Sequence, residues 1–222
     1  MELGTLSPAL ILMLVVGLAL APYVAVMVTA FTKLVVVFSL LRNALGLQQT
    51  PPNLVLNGLA IILSVYVMYP VGLQMSAAAE PIVAKHSQDG SPLPVSQLLA
   101  AANEAKEPLR QFLIKHTAAD EREFFLSTSR RLLPEDKRDL VTSQDLIVVV
   151  PAFTVGELAR AFQIGFILFL PFLVIDLVVA NVLQALGMMM LSPTTISLPF
   201  KLLLFVVLGG WSKLIHGLVL TY

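Results

Sequence analysis

The charged residues of this chain are confined to a few blocks, and that distribution limits its possible folds more than any other feature. No charged residue occurs in residues 3–32 or 43–79, and residues 161–200 and 202–222 carry one each, Asp176 and Lys213. The stretch from Glu80 to Arg160 holds 22 of the 28 charges. A charge at the centre of a bilayer costs about 2.5–3.5 kcal/mol on insertion scales. The segregation is therefore typical of a membrane protein with one hydrated region.

Four stretches are long and apolar enough to form membrane-crossing helices. A helix needs about 20 apolar residues to cross a hydrocarbon layer of roughly 30 Å. Residues 8–30, 54–75, 162–185 and 196–219 meet that requirement. Charged residues make up only 13% of the chain, whereas soluble domains carry about 25%. We predict an all-α fold of four long, kinked hydrophobic helices, paired as two hairpins.

A small polar helical domain is predicted between the second and third hydrophobic helices. The expected divisions are an N-terminal hairpin at 1–79, a polar insert at 80–160 and a C-terminal hairpin at 161–222. Within the insert, the turn-rich residues 86–94 predict a linker. Apolar clusters predict one short helix around Leu98, a second that begins at Pro108, and a third around Phe124.

The hydrophobic segments are interrupted in ways that lipid-facing helices rarely are. Pro22, Pro70 and Pro171 lie in them or at their ends, and each proline removes a backbone donor. Segment three also carries polar side chains, among them Asp176 and Asn181. Such groups are tolerated where neighbouring protein or a water-filled cavity satisfies them. Because one chain has so few segments, we expect the partners to be other chains, and hence an oligomer.

Lysine and arginine in short connectors predict the orientation in the membrane. Lys33 and Arg42 fall between the first two segments, whereas the N-terminal tail offers only Glu2. This places the connector in the cytoplasm, and the polar insert and both termini on the other side of the membrane, which is the periplasm if the cell is Gram-negative. The alternative is a cleavable signal peptide ending near Ala21, but the chain lacks a positive residue before the apolar stretch.

Several classes of function are disfavoured by composition and motifs. The net charge is zero, so the chain lacks the excess of basic residues that binding to a phosphate backbone needs, and we expect no nucleic-acid binding. Cysteine is absent, and the three histidines lack ligand spacing, so no metal site is expected. No nucleotide, metalloprotease or serine-hydrolase motif occurs, and Gly209-Gly210 falls inside an apolar helix. We expect neither enzymatic activity nor a cofactor.

The most informative local feature is the segment from Gly187 to Thr195, which contains the triplet Met188, Met189 and Met190. Gly187 and Pro193 bracket it, which predicts a hairpin between segments three and four. A loop in water should be polar, yet this one is uncharged. Methionine is flexible and adapts to irregular shapes. The triplet therefore indicates either a compliant seal across a pore or a hydrophobic loop that fills an interface or enters lipid.

Many blocks of this sequence resemble the FliP/SctR family of type III protein export components, found in flagella and injectisomes. The resemblance covers nearly the whole chain outside the polar insert. It is carried by residues 32–38, 41–46, 51–53, 150–153, 161–166, 171–176, 188–190 and 197–201, which read TKLVVVF, LRNALG, PPN, VPAF, AFQIGF, PFLVID, MMM and SLPFK. The apparent lack of a signal sequence is more similar to the injectisome branch than to the flagellar one.

The resemblance implies an export gate. It implies a homo-pentamer that assembles with SctS/FliQ-type and SctT/FliR-type proteins, and contacts with an SctU/FlhB-type switch protein and with inner rod or needle proteins. In the family, the hairpins are largely lifted above the bilayer plane. A methionine gasket would map onto Met188, Met189 and Met190. Unfolded substrate proteins would thread the ring, driven by a separate ATPase and the proton-motive force.

Two charges resemble a family pair that bridges neighbouring subunits, namely Glu157 and Lys201. We expect charge reversal at either residue to block pentamer formation, and the double exchange to restore some of it. The alternative is that both charges reach water individually. Asp176 is a further candidate, which could cap or hydrogen-bond a neighbouring helix. Two other functions stay open at this stage, a small-solute channel or transporter subunit and a structural scaffold without a pore.

Overall fold

The computed structural model describes residues 8–87, 95–188 and 190–222, and within them all regular structure is helical. The all-α prediction is confirmed for this part of the chain. The N-terminal tail with Glu2, most of the predicted linker, and Met189 lie outside it. The elements are α1 Pro8–Met27, α2 Phe31–Ala44, α3 Asn53–Ser87, α4 Val95–Lys115, α5 Ala119–Leu132, a short 3₁₀ helix Glu135–Leu140, α6 Leu146–Ala185, α7 Pro193–Val207 and α8 Gly210–Val219.

By length and composition, two of the described helices could cross a membrane. They are α3, over Asn53–Ala84, and α6, over Leu146–Ala185. Two further candidates are bent pairs: α1 with α2 at 60°, and α7 with α8 at 59°. If each bent pair is one span, the number of spans rises to four. Of the four apolar segments of the sequence, the first is α1 alone, the second and third lie within the continuous helices α3 and α6, and the fourth runs through α7 and α8.

The connector expected between the first two segments is wrong, because most of it is helix α2. Leu34, Val37, Phe38 and Leu41 recur every three or four residues and are all buried. This spacing places them on one face of a helix, which packs into the core. Lys33 is buried with them at 1% exposure. It is therefore part of the core and not of an exposed loop.

The fourth segment was expected to be one helix through Gly209-Gly210, and the structure corrects this. Gly209 has φ +62°, a left-handed conformation that glycine adopts without steric cost. Its N–H donates to the Val206 carbonyl at 3.0 Å, which closes the C-terminal turn of α7. The chain therefore turns by 59° into α8 at this glycine.

Pro108 does not begin a helix as predicted but lies inside α4. The two short helices expected on either side of it are one helix of 21 residues. An internal proline loses one hydrogen bond, but Ala101, Phe112 and Leu113 are buried on both sides of it. Tertiary packing on the flanking turns offsets that loss. The division points at residues 79 and 160 also fall within continuous helices, α3 and α6.

Helix α2 lies at the centre of the chain, packed between α6 and α3. The approach of α2 to α6 is close at Gly165, where an added Cβ would collide with the Leu40 side chain. The first half of α6 carries a regular buried stripe, whereas only Phe172 and Leu183 are buried after Gly165. The second half of α6 is exposed and apolar. The fold thus leaves a long hydrophobic surface facing outward.

Candidate functional site: a methionine turn and two buried ion pairs

Helix α6 ends just before Gly187 and α7 begins at Pro193, the two residues predicted to bracket a turn. Gly187 has φ +71°, and its N–H donates to the Gln184 carbonyl at 3.0 Å. The Met188 N–H donates to the Leu183 carbonyl at 2.9 Å. This pair of hydrogen bonds is a Schellman motif, which ends a helix at a left-handed glycine. Pro193 then begins α7, where a missing N–H costs nothing.

The methionine side chains described at this turn point outward. Met188 is 47% exposed and Met190 is fully exposed. Met189 lies outside the described residues. A methionine exposed to this degree adds little to the stability of its own chain, since burial is what makes an apolar side chain favourable. The tip of the hairpin is therefore an apolar surface available to something other than this chain.

Glu157, on α6, is fully buried and is held by three other residues. The Lys33 ammonium on α2 lies 3.1 Å from one carboxylate oxygen, and the Arg160 guanidinium lies 2.9 Å from the other. The Tyr222 hydroxyl donates a hydrogen bond to the same oxygen that Lys33 contacts. Burial raises the pKa of Tyr222, so the hydroxyl keeps the proton that it donates. Each charge removed from water thus has a partner, as a buried ion requires.

An aromatic group completes this Glu157 cluster. The Lys33 nitrogen lies 3.5 Å from the centroid of the Tyr222 ring, which is a cation–π contact. The same ring stacks on Phe112 with centroids 6.0 Å apart, and it lies 5.3 Å from the His116 ring. This cluster joins four elements that are far apart in sequence: α2, α4, α6 and the segment after α8.

Asp176 and Lys201 form a second cluster, which joins α6 to α7. The Lys201 ammonium lies 2.6 Å from one Asp176 oxygen, and the Ser197 hydroxyl donates to the other at 2.5 Å. Lys201 also donates to the Ala44 carbonyl, at 3.2 Å. Ala44 is the last residue of α2, where the helix dipole favours a cation. The Asp176 cluster therefore connects the hairpin to the central helix.

Replacing Asp176 with alanine is expected to lower the free energy of unfolding by about 2–3 kcal/mol. The Lys201 side chain is only 4% exposed and would keep the Ala44 carbonyl as its one described partner. Hydrogen bonds to charged groups contribute about 1.5–3 kcal/mol each. Denaturant titration of the purified protein in detergent measures the change. The control is Asp139→Ala in the exposed 3₁₀ helix, and an equal loss in both variants would contradict a stabilising role.

His116 is expected to make the protein less stable in mildly acidic buffer. Burial is the largest cause that lowers the pKa of His116, and Lys115 lowers it further. Glu157 raises this pKa, while Lys33 and Arg160 each lower it by a smaller amount. The unfolded chain, with a histidine pKa of about 6.5, therefore takes up a proton before the folded chain does. Stability is full above about pH 6.5 and falls as the pH drops through the lower pKa of the folded state.

The melting temperature of the purified protein between pH 5 and pH 7.5 checks this dependence. We expect His116→Gln to flatten the decline below pH 6.5. The matched control His216→Gln changes an exposed histidine on α8 and should leave the decline as it is in the wild type. Parallel curves for His116→Gln and the wild type would show that another group causes the decline.

The two charges expected to bridge subunits each have a partner within the chain. Glu157 contacts Lys33, and Lys201 contacts Asp176, so the two residues lie in different clusters. A pairing of Glu157 with Lys201 of another copy stays a prediction. Sequence reasoning missed Lys33 as the partner of Glu157. The available signal was its position, since Lys33 is the one charge between Leu3 and Leu41 in an otherwise uncharged stretch.

No group of three His, Asp or Glu side chains that could hold a metal ion occurs among the residues described. The geometry instead presents a turn with exposed methionines, a long outward-facing hydrophobic surface, and two ion-pair clusters that join the helices. Such an arrangement is suited to packing against other proteins.

Comparison with known proteins identifies the family. The FliP family matches residues 13–218. The hypersensitivity response secretion protein HrcR of Ralstonia nicotianae is 50% identical over 214 residues, which are 96% of this chain and 97% of the relative. The Yop proteins translocation protein R of Yersinia pestis is 51% identical over 205 residues, 92% of each chain. Virulence protein YscR of Salmonella typhimurium is 43% identical over 216 residues, 97% of each chain. The chain belongs to the FliP family of type III secretion components.

Proposed function

We propose that this chain is a core subunit of a type III secretion export gate. Five copies form a ring that conducts unfolded substrate proteins across the inner membrane, and the methionine turns close the ring when it is idle. The observation that carries this proposal is the outward apolar surface of α6 and α7, which ends at the exposed methionines. Names of relatives that refer to secretion and translocation support it.

The apolar surface is larger than a chain of this kind would leave uncovered without a partner. In the second half of α6 and in α7, large hydrophobic side chains are exposed along both helices. They include Phe166, Ile167, Leu173, Val174, Leu177, Val178, Val182, Phe200, Leu203, Val206 and Val207. Exposed apolar patches of this extent mark protein or membrane contacts. A head-to-tail interface between identical chains closes into a ring when its rotation permits, and we propose five copies.

The methionine turn supplies the seal in this arrangement. Each copy places one turn at the axis, so the thioether side chains of five turns meet there. Methionine suits this position because its flexible side chain can both close an empty pore and adapt to an irregular polypeptide, which a rigid side chain could not do. The chain supplies the conduit, the seal and the scaffold. Energy comes from a separate ATPase and the proton-motive force.

The proposed partners follow from the family. The ring assembles with SctS/FliQ-type and SctT/FliR-type proteins and contacts an SctU/FlhB-type switch protein and the inner rod or needle. The hydrophobic elements act as two hairpins, with the polar helices between them. The polar insert and both termini face the periplasm. Because Lys33 is buried, this orientation is inferred from the positive charge of Arg42. Assembly raises much of the ring above the bilayer plane.

The subunit bridge between Glu157 and Lys201 is part of the proposal, and an exchange of charges tests it. If the two residues meet between copies, Glu157→Lys with Lys201→Glu in the same chain should recover part of the pentamer that each single variant loses. If the contacts with Lys33 and Asp176 persist in the assembly, the double variant should be as defective as the singles. Native gels of the detergent-extracted complex distinguish the two results.

A stalled substrate tests the conduit directly. A secreted protein fused to a stably folded domain should lodge in the gate, and the chain has no cysteine of its own. Met190→Cys is then expected to form a disulfide with a cysteine in the unfolded part of the substrate. The control is the same substrate without the folded domain, which should pass through and leave no cross-link. The proposal would be overturned if secretion continued without this chain, or if the stalled substrate and the control substrate formed the cross-link equally.

A further inference from the structure

A basic pocket lies beside the Glu157 cluster and is not accounted for by the export function. Its volume is about 380 Å³, and its walls come from α2, α4, α6 and the segment after α8. The lining residues are Lys33, Lys115, His116, Arg160, Gln163, Ile164 and Thr221. Three of them are lysine or arginine, and none is acidic.

The neighbouring acid does not neutralise this pocket. Glu157 binds both Lys33 and Arg160, so one negative charge faces two positive ones. Lys115 is exposed, and no ion pair to it occurs among the described residues. Arg160 uses one terminal nitrogen for Glu157 and the His116 carbonyl. Its other N–H groups and the Lys115 ammonium are donors suited to a phosphate.

An apolar groove lies next to the basic pocket. The groove has a volume of about 430 Å³ between α6, α7 and α8, and it shares Ile164 and Thr221 with the pocket. Lys213 is the one charged residue in its lining, and the other walls are apolar, with Leu168, Phe172 and Leu204 among them. A ligand that fits both spaces must be anionic at one end and hydrocarbon at the other.

We propose that the pocket and the groove together bind one anionic phospholipid. Its phosphodiester lies between Lys115 and Arg160, and one acyl chain lies along the groove past Ile164. Basic pockets next to membrane helices recognise anionic headgroups. Free phosphate shares the headgroup chemistry, but it would leave the groove without a role. The two observations together therefore favour the lipid, and they do not depend on the pentamer or the conduit.

Titration of the purified full chain in mild detergent with short-chain phosphatidylglycerol tests the headgroup site. We expect Lys115→Gln to weaken binding about fivefold, as the loss of one basic residue near an anionic lipid would. Lys137→Gln is the matched control, because it removes an exposed lysine from the 3₁₀ helix. Phosphatidylcholine, which has no net charge, should bind more weakly than phosphatidylglycerol to the wild type.

A second pair of variants tests the acyl groove. Gly217 lines the groove, and a Cβ built on it meets no atom within 4 Å, so a larger residue there would fill the groove without a clash at its base. Gly217→Leu is expected to weaken phosphatidylglycerol binding several-fold. Gly72→Leu in α3 is the control, since a Cβ there also meets open space, outside the groove. Inorganic phosphate alone should compete poorly.

Three results would overturn the proposal. Lys115→Gln and Lys137→Gln could weaken binding equally, which would indicate general surface charge. Inorganic phosphate could displace the lipid while Gly217→Leu has no effect, which would make the ligand a free anion. Gly217→Leu could break the oligomer while phosphatidylglycerol does not bind the wild type, which would mean that another protein chain occupies the groove.

Discussion

Replacing Lys33 with methionine is expected to lower the free energy of unfolding by about 3 kcal/mol, the lower end of the cost of breaking a buried ion pair. Glu157 has 0% exposure and would keep Arg160 at one oxygen and the Tyr222 hydroxyl at the other, but it would lose the ammonium at 3.1 Å. A domain is typically stable by only about 5–15 kcal/mol. We therefore expect low yield and a much lower melting temperature in detergent.

A double variant separates the charge from the packing. Lys33→Met with Glu157→Met replaces the pair by apolar side chains of similar size, and such replacements are often neutral or stabilising. We expect it to recover part of the stability that Lys33→Met loses, because Tyr222 and Arg160 lose their Glu157 partner in the double variant. Lys213→Met, at an exposed position on α8, is the control and should match the wild type. If the double variant is no more stable than Lys33→Met, the ion pair is not the cause.

The second large effect is expected at the methionine turn. Replacing Met188, Met189 and Met190 together with alanine shortens the side chains that close the proposed pore, so ions should leak through an idle gate. The hairpin should still form, because its Schellman hydrogen bonds are made by the backbone and Gly187 is retained. We expect a several-fold rise in ion conductance of membranes that contain the complex, with assembly unchanged.

The control for the leak is a pair of exposed apolar residues away from the turn. Leu132 and Leu140 are 82% and 73% exposed, and their replacement with alanine removes similar apolar surface from the polar region. Conductance should then stay at the level of the wild type. A leak of the same size in both variants, or an intact seal in the methionine variant, would show that the turn does not close a pore.

The features that sequence could predict are those in which a local residue determines the local backbone. The α6–α7 hairpin is one, because Gly187 and Pro193 allow little else between two apolar stretches. The bend between α1 and α2 is not, since no glycine or proline marks it between Met27 and Phe31. Hydropathy reports how apolar a segment is but not where its helix axis bends. The first segment was therefore expected to run through to residue 30.

The ion pairs also have one aspect that sequence can predict and one that it cannot. The cost of burying a charge indicates that Glu157 and Lys201 need partners, and the structure gives each one. Which partner is a question of tertiary packing, because Lys33 and Glu157 are distant in sequence and meet only where α2 packs on α6. The Ser197 contact with Asp176 likewise depends on the geometry of the hairpin. Sequence therefore predicts the requirement, and packing determines how it is met.

Cross-linking between copies at the tip of the hairpin tests the ring most directly. The chain contains no cysteine, so Met190→Cys places a single thiol at a fully exposed position. A ring whose turns meet at an axis predicts disulfide or short bismaleimide cross-links between copies in native membranes, and the product is a covalent dimer because each chain supplies one thiol. Leu132→Cys should give none. If residue 190 forms no cross-link between copies and lipid covers the apolar helices, both the ring and the seal are contradicted.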